Sequence, residues 1–289
     1  NYNLETMMNS MKKSIEYYAE LYGPYPYRQC RIIEFPRYSA FAVSFPNTIP
    51  FSEAIGFVMD VDPEDPEDLD MPFWVTAHEM GHQWWPHQVS GGNVQGSAFL
   101  SEGLSEYSAV SLLAKEKGEK QLRKFLKYEL DNYLMGRAME SKHEPTIVET
   151  EGQQYIHYNK AGLIMYTLSD FIGRDRFNKA LGEFIDRFRY QSEPYANIGT
   201  FIETIKDNTP ENLKYLVHDT FEKITLYKNK AKEASAIENL DGTYSVTFTV
   251  EAKKVYADSL GEESAPAVLN DWLEVGILGE TEIDGVEHE

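Results

Sequence analysis

The chain has 289 residues, 42% of them apolar and 26% charged, a composition typical of a folded protein with one large core or two domains. Its 47 acidic and 27 basic side chains leave a net charge of −20, which repels nucleic acid and anionic membrane surfaces and argues against both as partners. No apolar run reaches the roughly 18 to 20 residues that cross a bilayer, and a single cysteine cannot form an internal disulfide.

The N-terminal part of the chain predicts a helix followed by a small sheet. Residues 4–22 have a helical pattern that ends at a Gly-Pro pair. Three extended stretches follow, RIIEF (31–35), FAVSF (41–45) and TIPFS (48–52). The acidic segment 60–72, DVDPEDPEDLDMP, then has no apolar period and contains three prolines, which predicts a solvated loop.

The middle of the chain predicts helices and its C-terminal part predicts strands. The expected helices lie near residues 72–88, 98–117, 120–136, 154–172, 175–190 and 197–208. The Lys- and Ala-rich stretch 228–236 predicts a connector, after which YSVTFTV (244–250) and WLEVGIL (272–278) alternate with the period of a strand. Because two strands cannot bury both faces alone, they predict the beginning of a β domain.

The stretch WVTAHEMGHQWW, residues 74–85, carries two histidines at the spacing of metal ligands. His78 and His82 are four positions apart, about 40° around a helix, so both rings project from one face. Glu79 lies beside them, where a carboxylate can reach a water at the metal without binding the metal. The other positions are apolar nearly all round, which predicts a buried helix. Gly81 costs a helix interior about 1 kcal/mol relative to Ala, and close approach of another backbone would offset this.

Two hydrogen-bonded core histidines are the alternative, because a five-residue pattern also occurs by chance. The next helix, however, carries FLSEGLSEYSA, in which Glu102 stands one turn before Glu106 on the same face. Two histidines and one glutamate leave a fourth metal position open, as in catalytic zinc sites. We therefore predict one zinc ion held by His78, His82 and Glu102. Glu106 is then expected to accept a hydrogen bond from the outer nitrogen of His78; the alternative is an exposed helix carboxylate.

Three stretches in this order resemble the gluzincin metallopeptidases, most closely the family of aminopeptidase N and leukotriene hydrolase: HEMGHQWW, LSEGLSEY and YIHYNKAG. The resemblance covers about residues 4–225. It implies an α+β fold, in which a thermolysin-like catalytic domain with a small sheet and a mostly helical lobe precedes the first strands of a β-sandwich domain. We expect residues 1–228 to form the zinc metallopeptidase domain and residues 229–289 a truncated β domain. Because the family's large N-terminal β domain is missing and the chain begins at Asn1, we expect a fragment of a larger protein.

The resemblance implies zinc-dependent peptide hydrolysis of the aminopeptidase type, with Glu79 as general base. Tyr158, in a stretch similar to the family's Tyr-x-Lys-Gly, is implied as the residue that stabilises the oxyanion. Read without the resemblance, Tyr158 is a tyrosine in an aromatic-rich helix, for which core packing is the alternative. Nineteen residues separate His82 from Glu102, as in thermolysin, where the aminopeptidase N family usually has eighteen. One extra loop residue is easily absorbed, so Glu102 remains the predicted ligand.

One family motif has no evident counterpart in this chain. In the family, a Gly-x-Met-Glu-Asn strand carries the glutamate that binds the substrate's free amino terminus. The nearest stretch, FAVSFPNTIPFSE, places Ser44 at the position of that glutamate, which makes Ser44 a candidate substrate-binding residue. Glu53 is a second candidate for the amine anchor. Aminopeptidase and endopeptidase activity are therefore both left open.

A second hypothesis comes from the missing glutamate. The chain would be a zinc-containing peptide-binding or sensing module of a larger membrane-associated assembly, with weak or no peptidase activity, as in bacterial proteins that couple a similar domain to transporter-like membrane segments. Against it stands the complete set of ligands, base and tyrosine, which a binding module does not need. Both hypotheses give the chain a peptide partner. Membrane association would come only from segments outside these residues, and the oligomeric state is not predicted.

Overall fold

The computed structural model describes residues 2–62, 65, 68–264 and 270–276. Its helices and strands form the predicted α+β fold. The described residues fall into two compact units, the first up to residue 224 with 258–262 and the second of residues 225–257 with 263–264 and 270–276. The truncated β domain expected from residue 229 onward stays a prediction.

The first unit consists mainly of helices. Its α-helices are α1 Leu4–Tyr22, α2 Met71–Gly81, α3 Leu104–Met139, α4 Ala161–Ile172, α5 Arg174–Phe188, α6 Ile198–Asp207 and α7 Lys214–Phe221. Two π-helical segments, π1 Phe99–Gly103 and π2 Tyr155–Lys160, directly precede α3 and α4. Short 3₁₀ turns occupy Ile147–Glu149 and Glu211–Leu213.

Helix α1 is amphipathic and packs its buried face against the region around α2. The Tyr18 and Tyr22 rings lie 5.7 and 6.4 Å from the Trp84 ring, both edge-on, a favourable aromatic geometry. Two buried hydroxyls on α1 reach helix carbonyls, since Ser10 donates to Phe73 O at 2.6 Å and Tyr18 donates to Ala77 O at 3.1 Å. α2 is thereby held on one side by both apolar and polar contacts.

The small sheet of this unit has two parallel strands, β1 Arg31–Phe35 and β2 Thr48–Ser52. The predicted third strand at residues 41–45 is wrong, since this stretch makes only isolated bridges, at Ala42 and Phe45. The physical reason is the tight turn that follows: Phe45 and Thr48 exchange both backbone hydrogen bonds. The chain reverses there before a regular ladder can form.

Two predicted helices have different bounds in the structure. The helix expected at 72–88 ends at Gly81, and the chain continues in turns, where Pro86 has no N–H for a helical hydrogen bond. The helices expected at 98–117 and 120–136 form π1 and one long α3, and the predicted break is a kink at Gly118, whose φ of 76° suits glycine.

The second unit contains strands. β4 Lys230–Glu238 pairs antiparallel with β5 Tyr244–Glu251, so the predicted connector at 228–236 is wrong. Its short and charged side chains gave no apolar alternation, and the pairing comes from the β5 edge. A second sheet has the order β3-β6-β7, with β3 Ile224–Tyr227, β6 Lys254–Ala257 and β7 Glu263–Ser264.

Two further predicted segments lie partly outside the described residues. Of the strand expected at 272–278, the described part ends at residue 276 and has no strand; nearby, Asp271 instead accepts a hydrogen bond from Lys254 at 2.8 Å. The described residues of the loop predicted at 60–72 have no regular structure until α2 begins at Met71. No helix in the described part of the chain is long and apolar enough to cross a bilayer.

Candidate metal centre and active site

Helix α2 is a buried element with a defined start. The side chain of Asp70 accepts a hydrogen bond from Phe73 N at 3.1 Å, and Pro72 lies in the first turn, both common signals of a helix N-terminus. The predicted burial is confirmed, because Phe73 and Ala77 have no exposed surface. The helix is therefore a rigid support for the polar side chains it carries.

Three predicted zinc ligands converge at one point. His78 Nε2 lies 3.3 Å from Glu102 Oε2, and His82 Nε2 lies 3.2 Å from the same oxygen. Ligand atoms around a tetrahedral ion are about 3.3 to 3.4 Å apart when the bonds are about 2.0 to 2.1 Å long. Two imidazoles and one carboxylate at these distances fit zinc and leave a fourth position for another ligand.

The outer nitrogen of each histidine is occupied within the protein. His78 Nδ1 donates to Glu106 Oε2 at 2.9 Å, and His82 Nδ1 donates to the carbonyl oxygen of Trp85 at 2.6 Å. Because Nδ1 carries a proton in each ring, Nε2 is the nitrogen that can present a lone pair to a metal once it has released any proton of its own.

Glu106 is completely buried and accepts two hydrogen bonds. Its Oε2 is bound to His78, and its Oε1 accepts from Trp74 Nε1 at 3.1 Å. Gly162 leaves room for it, because a Cβ there would lie 2.9 Å from Glu106 Cγ. Burial raises the pKa of Glu106, and the contacts with His78 and Trp74 oppose that rise.

The backbones of α2 and α3 meet at Gly81. A Cβ at this position would lie 3.0 Å from Ser105 Cα and 3.2 Å from Ser105 O, so the predicted close backbone approach is confirmed. Ser105 also contacts a predicted ligand. Its hydroxyl lies 2.9 Å from His82 Nδ1 and donates a hydrogen bond to Trp85 O at 3.1 Å. The approach of the helices brings Glu102 to the two histidines.

Two site residues come from π-helical segments, which often occur at functional sites. Glu102 belongs to π1, and Tyr158 belongs to π2. Gly103 at the end of π1 packs closely on Ala161, the residue directly after π2, since a Cβ at Gly103 would lie 3.0 Å from Ala161 Cβ. Their wider turns thus place a ligand and the tyrosine on neighbouring segments.

Glu79 is 6% exposed, and its Oε2 is buried without a hydrogen-bond partner in the described part of the protein. Burial raises the pKa of Glu79, whereas the adjacent His78 and His82 lower it. A carboxylate with a free oxygen and a raised pKa is suited to accept a proton near neutral pH.

Tyr158 lies against the predicted ligands. Its ring centroid is 5.6 Å from that of His78, and its phenol lies within the electrostatic influence of Glu102. Burial, followed by the negative charge of Glu102, raises the pKa of Tyr158. The phenol therefore keeps its proton at neutral pH and remains a hydrogen-bond donor.

Interactions among neighbouring side chains shift the pKa values of the predicted ligands His78 and Glu102. Burial lowers the pKa of His78, but hydrogen bonds to Glu102 and Glu106 outweigh this and raise it well above the usual value. Burial raises the pKa of Glu102, and the hydrogen bonds from His78 and His82 outweigh that, so its net shift is downward. The site thus holds a carboxylate, as metal binding requires.

Ser44 is tied to the end of α2. Its hydroxyl donates to Glu79 O at 2.9 Å and accepts from Gln83 Nε2 at 2.6 Å. Gln83 also donates to Phe45 O at 2.9 Å and accepts from Asn47 N at 2.8 Å. These hydrogen bonds hold residues 44–47 beside the metal centre. Direct substrate binding by Ser44 stays a prediction.

Sequence reasoning did not find three supporting residues: Trp74, Gln83 and Ser105. Trp74 lies one turn before His78 on the same helix face, a signal that could have been used. Gln83 and Ser105 act through non-local contacts with segments far apart in the sequence, so neither has a local signal. Glu53, the second candidate amine anchor, accepts a hydrogen bond from Arg37 N at 3.2 Å.

Comparison with known proteins defines the class of fold and site. The profile of the Peptidase family M1 domain matches residues 6–221, and the chain belongs to this family. The predicted gluzincin family and α+β fold are thereby confirmed. The roles of individual site residues remain predictions.

Curated relatives are much longer than this chain. Tricorn protease-interacting factor F2 of Thermoplasma acidophilum is 22% identical over 286 residues, which cover 92% of this chain and 36% of that protein. Human aminopeptidase N is 25% identical over 215 residues, which cover 70% of this chain and 22% of the relative. The chain thus spans little more than a third of the first relative and less of the second.

Solved structures share the fold at low identity. Native yeast LTA4 hydrolase has a TM-score of 0.58 and 16% identity over 73% of this chain and 34% of its own. An M1 zinc metallopeptidase variant of Deinococcus radiodurans, bound to a Tyr-Ser-Ala substrate, has a TM-score of 0.53 and 15% identity over 74% of this chain and 43% of its own.

Proposed function

We propose that this chain is the catalytic part of a zinc-dependent peptidase of the aminopeptidase type. The observation that carries the proposal is the convergence of His78 Nε2 and His82 Nε2 on one oxygen of Glu102. Because their outer nitrogens are engaged elsewhere, the two lone pairs can face one ion. Membership of the M1 family supports zinc as that ion.

His78, His82 and Glu102 would hold the zinc ion, which when bound would lower the pKa of a water to near neutral and polarise the scissile carbonyl. Glu79 accepts the proton of the attacking water with its free carboxylate oxygen and delivers it to the leaving amine. Tyr158 donates its hydroxyl hydrogen to the carbonyl oxygen as negative charge develops there.

For Tyr158 to act in this way, its hydroxyl must keep its proton and present it to the substrate oxygen. Its raised pKa keeps the proton on the phenol, so the donor is available. Such a donor is worth on the order of 3 kcal/mol of transition-state stabilisation in comparable sites. Tyr158→Phe should therefore lower kcat with little change in KM.

The aminopeptidase type rests on the relatives, many of which are named aminopeptidases. Within the chain, the position of the expected amine anchor holds Ser44, whose hydroxyl hydrogen is donated to Glu79 O. A substrate ammonium would then need another acceptor. Endopeptidase action is the competing form of the same chemistry, because a cleft without an amine anchor admits an internal peptide bond.

The test is mass-spectrometric mapping of cleavage on matched peptides with free and acetylated amino termini, with zinc-loaded protein and Glu79→Gln as control. Stepwise loss of residues from the free peptide alone supports an aminopeptidase. Internal cuts in both peptides identify an endopeptidase. Cleavage that persists equally in Glu79→Gln would remove Glu79 from the mechanism.

Ser44 also supports a second candidate function, a peptide-binding or sensing module of a larger membrane-associated assembly. This function requires binding without turnover. Zinc-loaded protein that binds the peptides in calorimetry but cuts neither would favour it over hydrolysis. Cleavage that is lost in Glu79→Gln would reject it.

A further inference from the structure

The distal half of α3 has one face turned toward π2. Glu129, Tyr133 and Gly136 are spaced i, i+4 and i+7 and so share a side of the helix. Glu129 has no exposed surface and Tyr133 is 5% exposed. Each of these three residues contacts π2 or leaves room for it.

The first contact joins Glu129 to the neighbour of Tyr158. Glu129 Oε2 accepts a hydrogen bond from Asn159 Nδ2 at 3.0 Å. Asn159 follows Tyr158 directly in π2. A shift of the Asn159 backbone is therefore transmitted to Tyr158 through a single peptide unit.

The second contact lies at the start of π2. A Cβ at Gly136 would lie 2.3 Å from Tyr155 Cβ, so only glycine allows the observed approach. The Tyr133 and Tyr155 rings stack at 6.2 Å with an interplanar angle of 25°. π2 is thus held before and after Tyr158, on the side of α3.

We propose that Glu129 is a positioning residue that, through Asn159, holds π2 so that the Tyr158 hydroxyl faces the metal centre. The proposal rests on the proposed role of Tyr158 in hydrolysis. The hydrogen bond of Glu129 in the described structure goes to Asn159 and not to a predicted zinc ligand, so its effect on turnover is expected to pass through the tyrosine.

Glu129 is suited to accept a hydrogen bond as an uncharged carboxylic acid. Burial, together with the negative charge of Glu106, raises the pKa of Glu129 to about 9, so the side chain is a neutral acid at pH 7. Its Oε1 is buried without a hydrogen-bond partner in the described part of the chain. A neutral group with one used acceptor can be imitated by glutamine, which has the same shape.

The test combines two variants in two backgrounds, with zinc content measured for each. Glu129→Leu removes the acceptor and is expected to lower kcat about 10- to 100-fold, with little change in KM, because a small misplacement of a catalytic group has costs of this size. Glu129→Gln keeps an acceptor oxygen and should stay within about twofold of the wild type. In the Tyr158→Phe background, Glu129→Leu should change kcat by less than about twofold.

Asn159→Ala tests the same hydrogen bond from its donor side and should lower kcat in the same way. The matched control is Asp131→Leu, two residues along α3, where the native side chain is 60% exposed. If Glu129→Leu lowers kcat by the same factor with and without the Tyr158 hydroxyl, the effect is general destabilisation and the proposal is overturned.

Hydrogen exchange of the zinc-free protein provides a readout that does not depend on activity. Glu129→Leu should speed amide exchange in peptides covering residues 155–160, while Glu129→Gln and Asp131→Leu should not. Unchanged amide exchange of residues 155–160 in Glu129→Leu would contradict the proposal that Glu129 holds π2. If the wild type cleaves no peptide, the proposed function fails, and the exchange result still decides whether Glu129 holds π2.

Discussion

Glu106 Oε2 lies 2.9 Å from His78 Nδ1, and the Glu106 side chain has no exposed surface. The same carboxylate accepts Trp74 Nε1 through its other oxygen. A fully buried carboxylate thus sets the orientation and tautomer of a proposed zinc ligand. Hydrogen-bond partners of this kind commonly raise the basicity of the ligand.

Glu106→Gln is expected to weaken zinc binding about 10- to 100-fold. The carboxylate accepts two N–H donors, from His78 and Trp74, whereas an amide has a single acceptor oxygen and must face one donor with its own N–H groups. Competition with a chromophoric chelator measures the affinity. Glu119→Gln on the same helix, where the side chain is 54% exposed, is the control and should leave the Kd unchanged.

Glu102→Ala should reduce zinc affinity by more than the loss of a hydrogen-bond partner does, beyond the about 10- to 100-fold range. The side chain provides the single oxygen on which both histidines converge. Zinc content after dialysis, measured by elemental analysis, is the readout. A zinc content equal to that of the wild type would point to Glu106 as the third ligand.

Gly81→Ala should destabilise the protein by about 1 to 3 kcal/mol, as overpacking does. Alanine is favoured over glycine in a helix by about 1 kcal/mol, so the sign depends on the contact. The new Cβ would lie 3.0 Å from Ser105 Cα, and a helix backbone cannot yield as a flexible side chain can. Urea unfolding of the zinc-free protein measures the change.

Gly152→Ala is the matched control, because nothing lies within 4 Å of its added Cβ. It should leave the free energy of unfolding nearly unchanged. Equal effects of the two substitutions would mean that the approach of α2 to α3 is not tight at Gly81.

Glu129 should make stability depend on pH. Its folded pKa of about 9 is far above the value of about 4.3 in an unfolded chain, so the folded state holds the extra proton between these values. The stabilising contribution is complete below the unfolded pKa and is lost as the pH rises toward the folded pKa, by up to about 1.4 kcal/mol per pH unit.

Denaturant unfolding at pH 5, 6, 7 and 8 tests this dependence. The amide of Glu129→Gln cannot titrate. The free energy of unfolding of this variant, relative to that of the wild type, should therefore increase as the pH increases. Asp131→Asn, at an exposed carboxylate of α3, should run parallel to the wild type. Parallel curves for Glu129→Gln would show that the buried acid does not hold its proton at neutral pH.

Local spacing explains which predictions were confirmed. The bounds of α1 follow from apolar periodicity, and the burial of α2 follows from apolar residues nearly all round the helix; both are visible in a short window. The convergence of His78 and His82 follows from their i, i+4 spacing on one helix. Family membership added the α+β fold, which the comparisons confirm.

The wrong predictions have a common physical cause. A strand forms only where it can pair with a neighbouring strand edge, and the sequence does not display that edge. The sequence therefore predicts a strand at residues 41–45 and a connector at β4, and both predictions are wrong. The pairing of Ala234 with Phe248 and of Ala236 with Val246 decides that β4 is a strand. The π-helical turns at Glu102 and Tyr158 also carry no pattern that distinguishes them from α-helix.

The sequence by itself determined the chemistry that this chain can offer: two imidazoles and a carboxylate with ligand spacing, a neighbouring glutamate and a downstream tyrosine. Only the tertiary structure decided how that chemistry is held. The contact of Gly81 with Ser105 and the hydrogen bond of Glu129 with Asn159 join segments that are distant in the chain. Ligand identity depends on local periodicity, whereas orientation depends on packing between elements, which only the folded chain brings together.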